Sequence, residues 1–306
     1  MDNKGKRPDG ARKNRQRARL AVQLAFAALT NGYVKGFVSG RIYTGPLKQL
    51  CVPGLNCYSC PGALGACPIG ALQATLSSRG YKSALYVLGF LAAVGALAGR
   101  AVCGFLCPFG LVQDLLYKLP LPKGWKKRRL PGEKALRALR WAALGLLCVL
   151  LPLVVLDGVG QGSPWFCKWV CPSGTLLGSV PLLAANEALR GAVGFLWAWK
   201  MALLAGLCAL SAVLYRPFCR YLCPLGAVYG VFNRFALYRY TLRPDACTGC
   251  GACAAACPLA LDPARQPNSM QCVRCGRCLS ACPTGALGTT APDIRSMCVK
   301  KQPDGR

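Results

Sequence analysis

Residues 247–258 read CTGCGACAAACP and residues 272–283 read CVRCGRCLSACP, so one pattern, C-x2-C-x2-C-x3-C-P, occurs twice in close succession. Gaps of two residues let a tight loop aim three thiolates at one centre, while the fourth, just before a proline that opens a helix, serves the other run. The spacing therefore predicts two cubane [4Fe-4S] clusters, one on Cys247, Cys250, Cys253 and Cys282, the other on Cys272, Cys275, Cys278 and Cys257. Zinc or disulfides are the competing readings. Gly249, Gly251 and Gly276 supply the turn freedom such loops need, and Thr284-Gly285 suits the same compact fold.

Over residues 241–291 this part resembles the bacterial two-cluster ferredoxins, which implies a small α+β domain. It is assigned to residues 241–306 together with the tail. The rest of the 306-residue chain is different: overall hydrophobic content is 54%, high for a wholly soluble protein. Four stretches, at 19–41, 82–102, 138–158 and 190–216, are apolar and long enough to cross a bilayer that needs roughly 20 helical residues. Only Lys35 and Lys200 are charged well inside these limits, and Lys35 is near enough to a helix end to snorkel. The expected fold is a membrane all-α domain of four transmembrane helices over residues 19–240, followed by the ferredoxin-like domain.

The 38 Lys and Arg against 10 Asp and Glu, net +28, would suggest nucleic acid in a soluble chain. Here the charge follows topology. Basic side chains crowd the tail over 1–18 with Arg19 (Lys4, Lys6, Arg7, Arg12, Lys13, Arg15, Arg17) and the loop 118–140, whereas the connection 42–81 holds only Lys48 and Arg79. Lys and Arg are retained on the cytoplasmic side, so both termini are placed there, in a multi-pass protein of the cell (inner) membrane, with the lipid bilayer and not nucleic acid as a partner. Histidine is absent, which excludes His-ligated haem, Rieske centres and a histidine base. Any proton handling would fall to Asp114, Asp157, Glu187, tyrosines or water.

The pattern Cys-Pro-x-Gly begins at Cys67, Cys107, Cys171 and Cys223, in the order span, outer motif, span, inner motif, twice over. Such an order predicts two parallel two-helix repeats, with the inner motifs meeting near one face and the outer motifs near the other. Three pairs read C-x3-C-P: Cys103/Cys107, Cys167/Cys171 and Cys219/Cys223. A proline is best accommodated as the first helical residue, which leaves each pair in the preceding turn, facing the positive end of a helix. Cys103, Cys107, Cys219 and Cys223 then supply four inner thiolates, enough for one further cluster. The repeat analogy groups Cys60 and Cys67 with Cys167 and Cys171 as an outer cluster, leaving Cys51 and Cys57 as a disulfide, ligands of a second cluster or an extra redox pair. Cys148 and Cys208, in mid-span, read as small buried thiols.

The combination of basic N-terminus, four spans, inner C-x3-C-P pairs and a two-cluster ferredoxin resembles the NapH-like membrane ferredoxins, related to the membrane core of NosR-like proteins. The segment from Cys51 to Pro61 and the outer pair Cys167/Cys171 depart from the nitrate-reductase member of that family. No outer loop has room for the flavin-bearing domain of NosR-like proteins. The resemblance implies electron transfer in anaerobic respiration, between a quinone pool or an extracytoplasmic carrier and cytoplasmic clusters, as a subunit of a larger quinol-linked redox complex. An iron–sulfur redox sensor or a metalloenzyme maturation factor is the alternative.

Overall fold

The computed structural model of the protein describes residues 9–78, 81–122, 124–158, 161–191 and 193–290; Lys4, Lys6, Arg7 and Cys298 lie outside the described residues. The first helix, Asp9–Thr30, begins in the basic segment and ends earlier than the apolar stretch would allow. Its last carbonyls are taken by side chains, Thr30 Oγ1 donating to Phe26 O at 2.8 Å and Asn31 Nδ2 to Ala27 O at 3.0 Å. Those bonds let the helix stop inside the expected 19–41 span. A short helix, Val34–Ser39, follows and closes on Gly40 at φ 63°.

The next segment belongs to the connection between the first two expected spans. Residues 46–66 fold back into the protein, with Leu55 2% exposed and Asn56, Cys60 and Ala63 fully buried. Lys48 is buried as well and donates from Nζ to Ala63 O at 2.8 Å. Helix Pro68–Ser77 packs against the apolar helix Tyr81–Ala98. The latter ends on Gly99 (φ 51°), and two short helices, Ala101–Phe105 and Pro108–Tyr117, complete the first half.

In the second half, helix Glu133–Val154 contains a π-helical stretch, Ala143–Leu150. A second π-helical stretch, Thr175–Ser179, lies in the helical segment 172–185. Each is followed by a proline, Pro152 or Pro181, whose missing N–H and bulky ring disrupt the i→i−4 ladder one turn back and widen it there. Helix Phe195–Val213 follows, then Pro217–Tyr221 and Pro224–Phe232.

Among the described residues, Glu133–Val154 and Phe195–Val213 are long and apolar enough to cross a membrane. Of the other two expected spans, the first is interrupted at Thr30, and the second corresponds to the apolar helix Tyr81–Ala98. The C-terminal part is closed by strand Tyr240–Leu242, which pairs antiparallel with Leu287–Thr289 and so brings the two ends of the cysteine-rich segment together.

Candidate functional site

Within the C-terminal part, the cysteine loops turn at Gly249, Gly251 and Gly276, all at positive φ, and the latter two start the short helices Ala252–Ala255 and Arg277–Ala281. One cavity is lined by Cys247, Cys250, Cys253 and Cys282, and a narrower one by Cys257, Cys272, Cys275 and Cys278. Each quartet draws three cysteines from one run and one from the other. Cys250 is exposed, whereas Cys278 is buried, so the first quartet lies nearer solvent.

In the helical part, Cys67, Cys107, Cys171 and Cys223 each cap a helix whose first residue is the following proline. Gly110 N donates to Cys107 Sγ and Gly226 N to Cys223 Sγ, both at 3.4 Å. Cys103, Cys107, Cys219 and Cys223 are all buried, and the thiol of Cys223 lies within electrostatic reach of the other three. A side chain not singled out from the sequence joins them: Gln113 donates from Nε2 to Cys219 Sγ at 3.1 Å and accepts from Phe218 N at 3.2 Å.

Two buried arginines brace this inner group. Arg100 donates to Cys219 O at 2.7 Å, and Arg216 donates to Cys103 O. Each guanidinium lies over a glycine of the opposite half, Arg100 over Gly226 and Arg216 over Gly110, where a β-carbon would crowd it. Both arginines precede their cysteine by three residues, a spacing visible in the sequence. Arg216 also holds Asp114, at 2.8 and 2.5 Å, with Arg19 adding a third contact at 2.9 Å. Burial alone would raise the Asp114 pKa, but Arg216 and then Arg19 outweigh it and hold it at about 2. Asp114 is therefore a fixed anion at neutral pH and does not serve as the proton carrier considered from the sequence.

The second run of the ferredoxin-like part docks against this inner group. Gly104, between Cys103 and Cys107, abuts the backbone of Val273, between Cys272 and Cys275, closely enough that a β-carbon would collide with the Val273 carbonyl. Arg100 donates to Met270 O at 3.0 Å, and Asn233 donates to Cys272 O at 2.8 Å and Ser269 O at 2.9 Å. Arg274 reaches back to Ala98 O at 2.9 Å, Asn233 O at 2.6 Å and Tyr238 O.

On the other side of the core, Cys57, Cys67, Cys167 and Cys171 line a cavity of about 490 Å³. Cys60, grouped with three of them from the sequence, is turned away: it is buried with its thiol donating to Asn31 Oδ1 at 3.5 Å. Cys51 forms a backbone bridge with Ala66, and Cys148 is fully buried near Cys67 and Cys171. Among the described residues, no three His, Cys, Asp or Glu side chains converge tightly enough to hold a single metal ion. Rings of four thiols around a volume fit a multi-atom iron–sulfur cluster better than one tetrahedral ion.

Residues 82–130, 141–181 and 195–239 match a 4Fe-4S binding domain, and residues 239–283 match a 4Fe-4S dicluster domain. The chain is 30% identical over 197 residues to an uncharacterised protein of Methanocaldococcus jannaschii, covering 64% of this chain and 66% of that one. It is 32% identical over 163 residues to the methylamine utilization ferredoxin-type protein MauN of Paracoccus denitrificans, covering 53% and 49%. To the regulatory protein NosR of Pseudomonas aeruginosa it is 31% identical over 177 residues, covering 55% and 21%. The chain thus spans about two thirds of the first relative's length, about half of the second's and about a fifth of NosR. No solved structure matches it.

Proposed function

We propose that this chain, an iron–sulfur electron-transfer protein of the ferredoxin type homologous to MauN and NosR, works as a membrane-embedded conduit between cytoplasmic redox proteins and the membrane interior. The eight C-terminal cysteines would hold two [4Fe-4S] clusters in the interleaved grouping, and Cys103, Cys107, Cys219 and Cys223 a third. Bound there, such clusters supply one-electron chemistry without bond making. The donor or acceptor in the membrane would be a quinone or a redox-protein partner, in a larger complex, and the four apolar segments would cross the bilayer with both termini inside.

The observation that carries this reading is the contact between Gly104 and Val273. It sets the backbone of one cysteine loop directly against the backbone of another, in two parts of the chain far apart in sequence. The surrounding residues make that contact rigid. Asn233 ties the Cys272 carbonyl to the helical part while its Oδ1 accepts from Arg100 N at 2.8 Å. Arg100 in turn holds the Cys219 carbonyl. These buried hydrogen bonds across the junction fix the separation of the two loops, and placement is what the protein contributes to electron transfer.

The test is anaerobic purification of the full chain in detergent, with iron and acid-labile sulfide counts and EPR of the reduced protein. Replacing any one of Cys103, Cys107, Cys219 or Cys223 by Ser should remove the same spectral component, and the double change Cys103→Ser with Cys219→Ser should cost little more than either alone. Full iron content in Cys107→Ser and Cys223→Ser would show these pairs to be helix breaks and would sink the membrane part of the reading.

A further inference from the structure

The cavity lined by Cys57, Cys67, Cys167 and Cys171 is built on the plan of the inner group. The first half carries C-P-x-G-x2-Q twice, at Cys67 to Gln73 beside this cavity and at Cys107 to Gln113 beside the inner group. Gln73 donates to Cys167 Sγ at 3.4 Å and accepts from Phe166 N at 3.0 Å, repeating bond for bond what Gln113 does with Cys219 and Phe218. Where Arg100 holds the Cys219 carbonyl, Lys200 donates to the Cys167 carbonyl at 3.4 Å. Gly70 and Gly174 lie directly against these thiols, the position of a β-carbon standing 3.8 Å from Cys167 Sγ and 3.6 Å from Cys57 Sγ.

We propose that Cys57, Cys67, Cys167 and Cys171 ligate a further [4Fe-4S] cluster on the opposite side of the core from the ferredoxin-like part, with Cys57 and not Cys60 as the ligand from the folded-back segment. The proposal rests on the reading that the C-x3-C-P pairs hold clusters. The donor set suits the group. Backbone N–H groups of Ile69 and Gly70 face Cys67, those of Ser173 and Gly174 face Cys171, and those of Ser59 and Cys60 face Cys57. Donors of that kind stabilise thiolates and a cluster of net negative charge. Lys48 and Lys200 complete the balance, both lining the cavity. Lys200 sits within an apolar helix long enough to cross a membrane, a costly position for a cation.

The folded-back segment also joins this cavity to the inner group. Leu55 offers its N–H to Cys107 while its carbonyl accepts from Ser173 Oγ at 3.2 Å, so one residue touches the walls of both. Gly54 packs 3.1 Å from the Cys107 α-carbon, counted from the position a β-carbon would take, and Tyr229 OH donates to Pro53 O at 3.2 Å between the two groups. Exchange between the sites would move one electron from one to the other, with no proton transferred and no bond made or broken.

The experiment uses the full chain in detergent, purified anaerobically, with iron and sulfide counts, EPR and redox titration. Wild type should hold about sixteen irons, four for each cluster. Cys57→Ser and Cys167→Ser should each lose about four irons and the same EPR component, and the two together no more than either alone. Cys60→Ser and Cys148→Ser should keep both iron and component. Lys200→Met, which keeps all four thiols and removes only the charge and its bond to the Cys167 carbonyl, should lower the midpoint potential of that component and leave the inner one unmoved, so the idea remains testable if the cysteine variants fold poorly. Loss of the component in Cys60→Ser but not in Cys57→Ser would overturn the ligand set. A wild-type count of about twelve irons, falling to about eight in Cys219→Ser, would sink the outer site while the inner reading stands, and about eight in both would sink both. A Cys57–Cys60 disulfide, found by mass spectrometry after alkylation, would equally overturn it.

Discussion

Arg100 donates from Nη2 to the carbonyl oxygen of Cys219, 2.7 Å away in the other half of the chain. Arg216 returns the bond to the carbonyl of Cys103, so the two halves hold each other's first cysteine. Neither arginine is more than 1% exposed. Burying two guanidinium groups is costly unless they are bonded, and here the carbonyls of the cysteine turns are the partners. The inner group is therefore a joint construction, and neither half alone would complete it.

The first prediction concerns charge. Removing a buried cation beside a cluster that gains an electron should make reduction harder. At an effective dielectric of about 20 a unit charge nearby is worth on the order of 1–3 kcal/mol, which for a one-electron couple is roughly 40–130 millivolts. Arg100→Gln should lower the potential of the inner component by that amount in an EPR-monitored titration, and Arg100→Lys should restore most of it. An unchanged potential in Arg100→Gln would separate the arginine from the redox centre.

A second prediction follows from Asp114. Asp114→Asn would leave Arg216 and Arg19 buried without their carboxylate, a loss of about 3–5 kcal/mol in comparable pairs. Thermal unfolding in detergent should drop accordingly. Because the folded pKa, about 2, lies below the ordinary value, the pair's contribution is complete above about pH 4 and fades only as pH falls toward 2. Between pH 5 and 8 the difference between wild type and Asp114→Asn should therefore stay constant; a gap that closes within that range would show that something else titrates.

Much of this arrangement is readable in the sequence, because thiol spacing and Cys-Pro turns are local signals. The joining of Cys282 to the first run, and the proline after each capping cysteine, need only chain geometry. What was not readable depends on where the segment 46–66 goes. Cys51, Cys57, Cys60 and Cys67 are irregularly spaced, and nothing local says that Cys57 faces a cavity while Cys60 turns to Asn31. The shared C-P-x-G-x2-Q was available as a signal that Gln73 and Gln113 have matching work. The early end of the first helix was hidden for another reason: Thr30 and Asn31 satisfy its carbonyls from within an otherwise apolar stretch.

The contact at Gly104 yields a third prediction. In Gly104→Val the new side chain would meet the Val273 carbonyl and force the two loops apart. No ligand is touched, so iron content and both ferredoxin EPR signals should match wild type. Reduction of the membrane-domain component by a donor that reaches only the ferredoxin-like part should slow at least tenfold in stopped-flow measurements. A wild-type rate would mean that electrons do not cross at this contact.

The last prediction uses a conformational oddity. Arg274 has φ 51°, and its counterpart in the first run is Gly249 at φ 66°. A left-handed backbone costs a residue with a β-carbon roughly 1–2 kcal/mol, so a glycine would be the easier choice at both positions. The guanidinium explains the exception, since it donates to the carbonyls of Ala98, Asn233 and Tyr238 at the junction of the two parts. Hydrogen bonds from a charged donor are worth about 1.5–3 kcal/mol each, which outweighs the strain. Arg274→Ala keeps the strain and loses the bonds, whereas Arg274→Gly loses both. Both variants should undock the ferredoxin-like part, seen as faster proteolysis near residues 234–243, with Arg274→Ala worse than Arg274→Gly by about 1 kcal/mol. The C-terminal EPR signals should persist in both, because no cysteine is removed. Proteolysis at the wild-type rate in both variants would show that the junction is held by other contacts.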